Sequence, residues 1–284
     1  SKTDGEFNVP LWNAASMLPS ADRRNIWTMK ANGDVVEFKH DDQNPNLTDY
    51  LVTLGNNIYP SDAKGADWGK RIVNYLRGDK TDENAGVFRK RDTLLGDIVN
   101  STPVVIASPA VDLYEHVIDD TYFEGLTKNN KKLYKEFATD NSGRTPMLYV
   151  AANDGMLHAF NAETGVETFA YIPRSLLRAT GDGSLARLAN PEYGVINPVD
   201  GSQPVPHQYY NDGKLTTQNV YLEDEWKTIL VGTTGRGQSR TVYALDITDP
   251  AVLADPSKAG DAILWERSAG DGEANADWIG MALG

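Results

Sequence analysis

The 284-residue chain contains no cysteine. Disulfides, thiol nucleophiles and thiolate metal sites are excluded together. The compartment stays open, because oxidising compartments permit disulfides without requiring them. No apolar run of about 18 residues or more occurs, so no stretch of the sequence has the makings of a membrane-spanning helix. The opening Ser1-Lys2-Thr3-Asp4-Gly5 has no basic stretch leading into an apolar one; either an export signal lies upstream or there is none. Basic charge is scarce: 27 Lys and Arg face 40 Asp and Glu, for a net charge of −13. Nucleic acid is therefore excluded as a partner, because a phosphate backbone needs a basic face. One short lysine-rich run surrounds Lys131 and reads as a solvated helix face. The four histidines, His40, His116, His158 and His207, have no HxH or HExxH spacing.

What is present is a folding composition. Hydrophobic residues make up 40% and charged residues 24%, as in a globular soluble domain, and six Trp and thirteen Tyr supply apolar area for a core. The clearest pattern runs from Met147 to Ile172. Met147 to Ala152 alternates, Asn153-Asp154-Gly155 supplies residues that tolerate a left-handed backbone, and Met156 to Phe160 alternates again. A second turn at Asn161 to Gly165 and a third alternating run to Ile172 complete an antiparallel meander. A second copy spans Thr228 to Glu266, with strands at Thr228–Gly232, Thr241–Ile247 and Ala262–Glu266. A fainter hairpin occupies Ile26 to Phe38, and a further strand Pro103 to Ala107.

Repeated meanders suggest propeller blades, with a β-sandwich as the alternative. Their spacing is uneven, so insertions separate them; residues 173–227, rich in Gly, Pro, Asn and Asp, read mainly as one. Trp68, Ile72, Val73 and Leu76 recur at helical spacing between Asp62 and Arg77, and Gly78 stops that helix. A second helix is expected over Leu126 to Ala138. The fold expected is mostly β: a partial, modified, quinoprotein-like β-propeller with helical insertions. Residues 1–95 form a lead-in with a hairpin and a helix, and residues 96–284 the first blades. Three or four blades do not close a ring, so the sequence reads as a fragment of a longer protein.

The blocks resemble a known family in their order. Leu95–Pro109, Met147–Leu177 and Thr228–Pro250 are similar to the C-terminal propeller of PilY/PilC-type type IV pilus proteins, and Val73–Asp79 and Trp12-Asn13-Ala14-Ala15 fit upstream. The resemblance covers most of the chain. It implies a modified propeller, location at the cell surface or pilus tip, export in a Gram-negative cell, and roles in pilus extension and retraction, twitching and attachment. Minor pilins, and a host-cell receptor or surface, are the implied partners. It also implies an Asp-rich calcium loop in the full-length protein; none of good form is found here, and no cofactor is evident in this chain. Two local departures are the Thr233–Thr241 stretch, less Gly-rich than in the family, and Asn211-Asp212-Gly213 where Val-Asp-Gly is commoner.

Several short motifs admit a plainer reading beside the chemistry they suggest. Arg77-Gly78-Asp79 spells the tripeptide that integrins read, provided that a loop exposes both charges; the plainer reading is a helix end followed by a polar loop. Asp271, Glu273, Asn275 and Asp277 put oxygen ligands at alternate positions, as calcium loops do. Ala276 stands where the sharp-turn Gly belongs and no distal Glu follows, which favours an acidic surface turn. The stretch Gly232 to Ser239 approaches a phosphate-binding loop, but Gln238 replaces its lysine and a strand follows, so nucleotide binding is rejected. His158, alternating with Met156 and Phe160, reads as a packed structural residue.

Three function classes follow. The leading one is a non-enzymatic surface and assembly protein, with partner contacts on the insertions 108–146 and 173–227. The second is a quinone-cofactor dehydrogenase, suggested by the blade repeat at Ala159–Tyr171. Many of these enzymes hold the quinone against adjacent cysteines, which this chain lacks. The third is a carbohydrate-binding adhesin using Tyr209, Tyr210 and Tyr221 as stacking platforms.

Overall fold

The computed structural model describes residues 11–40, 47–57, 65–110, 134–237 and 239–269. The lead-in begins with a hairpin, β1 (Ile26–Met29) and β2 (Val35–Glu37), turning at Gly33. Helices α1 (Thr48–Asn56), α2 (Gly65–Arg77) and the single turn α3 (Thr81–Asn84) follow. In α2 the expected residues Ile72, Val73 and Leu76 are buried and Trp68 half-buried. Helices α1 and α2 cross where Gly69 leaves room; a Cβ there would overlap the Leu51 carbonyl. Gly78, at φ +115°, ends α2 where the sequence places the stop.

The first meander joins β3 (Val104–Ile106), β4 (Met147–Ala151), β5 (Leu157–Asn161) and β6 (Glu167–Tyr171), all antiparallel. Helix α4 (Tyr134–Asp140) precedes β4, and α5 (Arg174–Arg178) follows β6. Of the helix expected over Leu126 to Ala138, residues 126–133 lie outside the described residues. The lead-in hairpin joins this sheet: β1 runs parallel to β6, pairing Ile26 with Ala170 and Trp27 with Tyr171. The sheet therefore has six strands in the order β2-β1-β6-β5-β4-β3.

The second meander is β7 (Leu215–Leu222), β8 (Glu225–Thr233), β9 (Thr241–Asp246) and β10 (Ile263–Ser268), with the short helix α6 (Ala259–Ala262) before β10. Strand β7 corrects the reading of 173–227 as mainly an insertion, because the first strand of the second blade lies inside it. Its tight turn is made by Glu223 and Asp224, both at positive φ. A two-residue hairpin turn normally announces itself by Asn-Gly or Asp-Gly, and neither is present.

Among the described residues two large cores hold these layers, with a smaller cluster of Tyr134, Phe137, Ala138 and Trp226 beside them. Between the sheets, Trp27, Tyr149, Phe169 and Tyr171 pack with Leu230, Tyr243 and Leu245, and the Trp27 Nε1 donates to the Leu253 carbonyl at 2.8 Å. Beneath the helices, Leu51, Leu54, Ile72 and Val73 meet Leu176, Leu177 and Leu185. The lead-in thus contributes to both large cores, each of which also draws on residues beyond 95.

Upstream of the hairpin, Trp12 lies on the β5–β6 turn and donates to the Ala162 carbonyl at 3.1 Å. Gly165, at φ +76°, leaves room for the indole; a Cβ would approach it to 2.5 Å. Gly165→Ala is expected to cost about 1–2 kcal/mol from backbone strain alone and to expel Trp12. Amide exchange across residues 12–17 should then accelerate. Unchanged protection there would show that Trp12 is not held by this contact.

Candidate functional site

The junction of lead-in and first blade concentrates the ionisable chemistry. Glu167 on β6 accepts from the Arg24 Nε at 2.7 Å and Nη2 at 2.8 Å, and its Oε1 also meets the His158 Nδ1 at 2.7 Å. The other ring nitrogen, Nε2, lies 3.0 Å from the Asp154 Oδ2. Asp154 in turn accepts from the Gly96 and Met156 amides. The local reason is strand alternation. His158 lies directly across from Ala170 on β6, and the irregular register beyond Ala159 sets Glu167 beside the ring. Arg24 enters from the lead-in just before β1. Its Nη1 donates to the Arg77 carbonyl at 3.0 Å.

Burial alone would push the imidazole of His158 down. The charges and hydrogen bonds of Asp154 and Glu167 reverse this and hold it at about 9. Burial likewise opposes ionisation of Glu167, but the Arg24 charge and the His158 hydrogen bond hold its carboxyl below the usual range. Asp154 is lowered by the same imidazolium against its own burial. The result is an Arg⁺–Glu⁻–His⁺–Asp⁻ chain in which both ring nitrogens donate. His158 and Glu167 are enclosed and fully engaged, so this is a clasp rather than a base facing a substrate. The expectation that His158 is a packed structural residue holds, with an ionic role that its apolar neighbours did not suggest.

A second buried carboxylate ties the blades together. Glu266 on β10 accepts from the Tyr171 hydroxyl at 2.6 Å, the Arg174 amide at 2.8 Å and the Ser175 amide at 3.2 Å. Burial pushes its pKa up despite these donors.

Above the clasp lies an open cleft of about 270 Å³ between residues 89–97, the Asn153-Asp154 turn and the 188–207 segment. Arg89 lies over Tyr193, at 5.0 Å from the ring centre, and its Nε donates to the Leu188 carbonyl. Tyr193 packs on His207, and His207 on Tyr209. His207 also lies 3.1 Å from an Asp97 oxygen, and Asp97 accepts from the Asn153 amide group. Arg91 stacks on Tyr75 and pairs with Glu83 at 2.5 Å. The walls are mixed in charge and their aromatic faces carry guanidinium groups.

The Arg77-Gly78-Asp79 tripeptide is not an exposed receptor loop, and the integrin reading is corrected here. Arg77 is 2% exposed. Its guanidinium donates to the Ala21, Arg24 and Phe38 carbonyls. Burial lowers its pKa. Gly78 is buried, and Asp79 caps the next turn by accepting from the Thr81 amide. The stacking platform is corrected as well: Tyr210 is buried with its hydroxyl on the Ser184 carbonyl, and Tyr221 packs edge-on against Trp226. The calcium candidates Asp271, Glu273, Asn275 and Asp277 lie outside the described residues, as do His116 and Gln238. Sequence reasoning missed Arg24 and Glu266, whose partners lie far along the chain, and Glu167, which an irregular β5–β6 register sets beside His158 nine residues away.

Two antiparallel meanders packed face to face, the first widened by a lead-in hairpin, define a partial β-propeller with helical additions. A family model described as the PilY1 beta-propeller domain matches residues 95–278, more than half of the sequence. The chain belongs to the PilY1 family. It is 37% identical over 308 residues to a type IV pilus biogenesis factor PilY1 homolog of Xylella fastidiosa, an alignment covering 99% of this chain and 19% of the relative. It is 31% identical over 268 residues to type IV pilus biogenesis factor PilY1 of Pseudomonas aeruginosa, covering 94% of this chain and 20% of that protein. The chain therefore spans about a fifth of the length of these relatives. A crystal structure of the Pseudomonas aeruginosa PilY1 C-terminal domain aligns over 58% of this chain and 25% of that one, at 27% identity and a TM-score of 0.34. No helix among the described residues is long and apolar enough to cross a membrane.

Proposed function

We propose that the chain is a non-enzymatic segment of an exported, surface-located type IV pilus protein that supports pilus assembly and extension, and through them twitching and attachment. The observation that carries this reading is the family match across the propeller region, with relatives named as pilus biogenesis factors. The structure is compatible with a display platform. The charged groups best suited to acid–base work, His158, Glu167 and Glu266, are enclosed and spent on joining the lead-in and the two blades. Recognition then falls to the loops that the platform holds out, with minor pilins as the partners proposed. A host receptor, where one is bound, would be met by surfaces other than Arg77-Gly78-Asp79.

Deleting the gene and counting surface pili tests the reading. Loss of pili, twitching and attachment is expected, with recovery when the gene is returned. Normal piliation and movement in the deletion strain would remove it.

A further inference from the structure

The segment from Asn190 to Pro206 leaves the body of the protein and returns to it. At its base, Tyr193 and Val205 are buried and bridged, and the Gly194 amide donates to the Val205 carbonyl at 2.7 Å. Beyond that base the loop is built rather than slack. The Asn197 amide donates to the Ser202 carbonyl and the Gly201 amide to the Asn197 carbonyl. The side chains of Asn197 and Asp200 accept from the Val199 and Ser202 amides. Pro191, Pro198, Pro204 and Pro206 further restrict it.

This rigid frame holds apolar side chains out into water. Val195 is 50% exposed, Ile196 60% and Val199 91%. A lone exposed valine needs no explanation. Three branched apolar residues within five positions, on a loop fixed by its own hydrogen bonds, form a preorganised knob.

We propose that residues 194–199 are a docking knob for a protein partner that offers an apolar socket bordered by Lys or Arg. The proposal rests on the pilus-assembly reading and gives that reading a surface. Charge chooses the occupant. The loop carries Glu192 and Asp200 and no basic residue, in a chain of net charge −13. An anionic bilayer repels such a knob, since loops that dip into membranes rely on Lys, Arg and interfacial aromatics. A second copy would bring the same two acidic residues against the first. A socket with a basic rim satisfies both the apolar tip and the acids flanking it.

The test places a photo-cross-linking residue at position 199 of the intact protein in its own cells, with the same residue at Asn32 as a control. The expected product is an adduct with another polypeptide, whose cross-linked peptide maps by mass spectrometry to an apolar surface flanked by Lys or Arg. V195S/I196S should lower its yield about tenfold, the loss of anchoring apolar contacts, while Asn32 gives no such adduct. An adduct with the protein's own chain, with a second copy or with lipid overturns the proposal. So does an adduct that V195S/I196S leaves undiminished, or no adduct at all. The polar variant should unfold at an unchanged temperature; a clear loss of stability would show that these side chains are packed and end the argument. The cross-link is read independently of pilus number, so a deletion strain with normal pili would remove the assembly function and leave the docking result standing.

Discussion

Glu167→Ala is expected to cost the chain roughly 3–5 kcal/mol, the usual penalty for breaking a buried ion pair from one side. The substitution leaves Arg24 and His158 as neighbouring buried cations, each having lost its closest carboxylate. It also leaves the parallel β1–β6 seam without the fastening beside it, since that seam is short, with Ile26–Ala170 and Trp27–Tyr171 as its pairs. Thermal unfolding should shift down by about 10 °C, given a few degrees per kcal/mol for a chain of this size. R24M/E167L should recover only part of the loss, because it removes the stranded guanidinium but still leaves the buried His158 Nδ1 without its acceptor. If the single variant loses less than about 1 kcal/mol, the pair behaves like a solvated surface bridge and the clasp does not hold the lead-in to the blade.

Elements set by local pattern were legible in the sequence. Strands β4 to β6 follow their alternation and turn residues, and α2 follows its apolar spacing up to Gly78. Strands β8 to β10 and the β1–β2 hairpin also lie where alternation places them. What alternation cannot convey is the partner of an edge. The hairpin at Ile26 was visible as two strands, yet nothing local says that β1 runs parallel to a strand more than a hundred residues away. Strand β7 stayed hidden for a different reason: its Thr, Gln and Asn residues resemble loop composition, and its turn uses Glu223 and Asp224 against the usual preference. The site divides the same way. His158 read correctly as a residue packed in a strand. Its charge depends on Glu167, placed by strand pairing, and indirectly on Arg24, delivered by the lead-in. Arg77 shows the converse: the helix end was legible as the plainer reading of Arg77-Gly78-Asp79, but not the three backbone carbonyls that hold the side chain inside.

The same clasp makes stability depend on pH in a direction that can be worked out. The His158 pKa rises from 6.5 to about 9 on folding. Its contribution is therefore complete below about pH 6.5 and is lost as pH climbs through 9, amounting to about 3 kcal/mol. Asp154 and Glu167 are displaced downward, so their contributions are present above their unfolded values, near pH 4, and fade as pH falls through the lowered ones. Between about pH 5 and 6.5 the contribution of the clasp itself is complete, and the alkaline decline belongs to the imidazolium. Urea unfolding from pH 5 to 9.5 should show that decline in the unmodified chain. In H158N, which keeps a polar group but cannot carry the charge, the alkaline limb should flatten while stability is lower throughout. Equal slopes for the two proteins between pH 6.5 and 9 would mean that His158 is neutral in the folded chain. The Arg–Glu–His–Asp relay would then reduce to a single ion pair beside an uncharged ring.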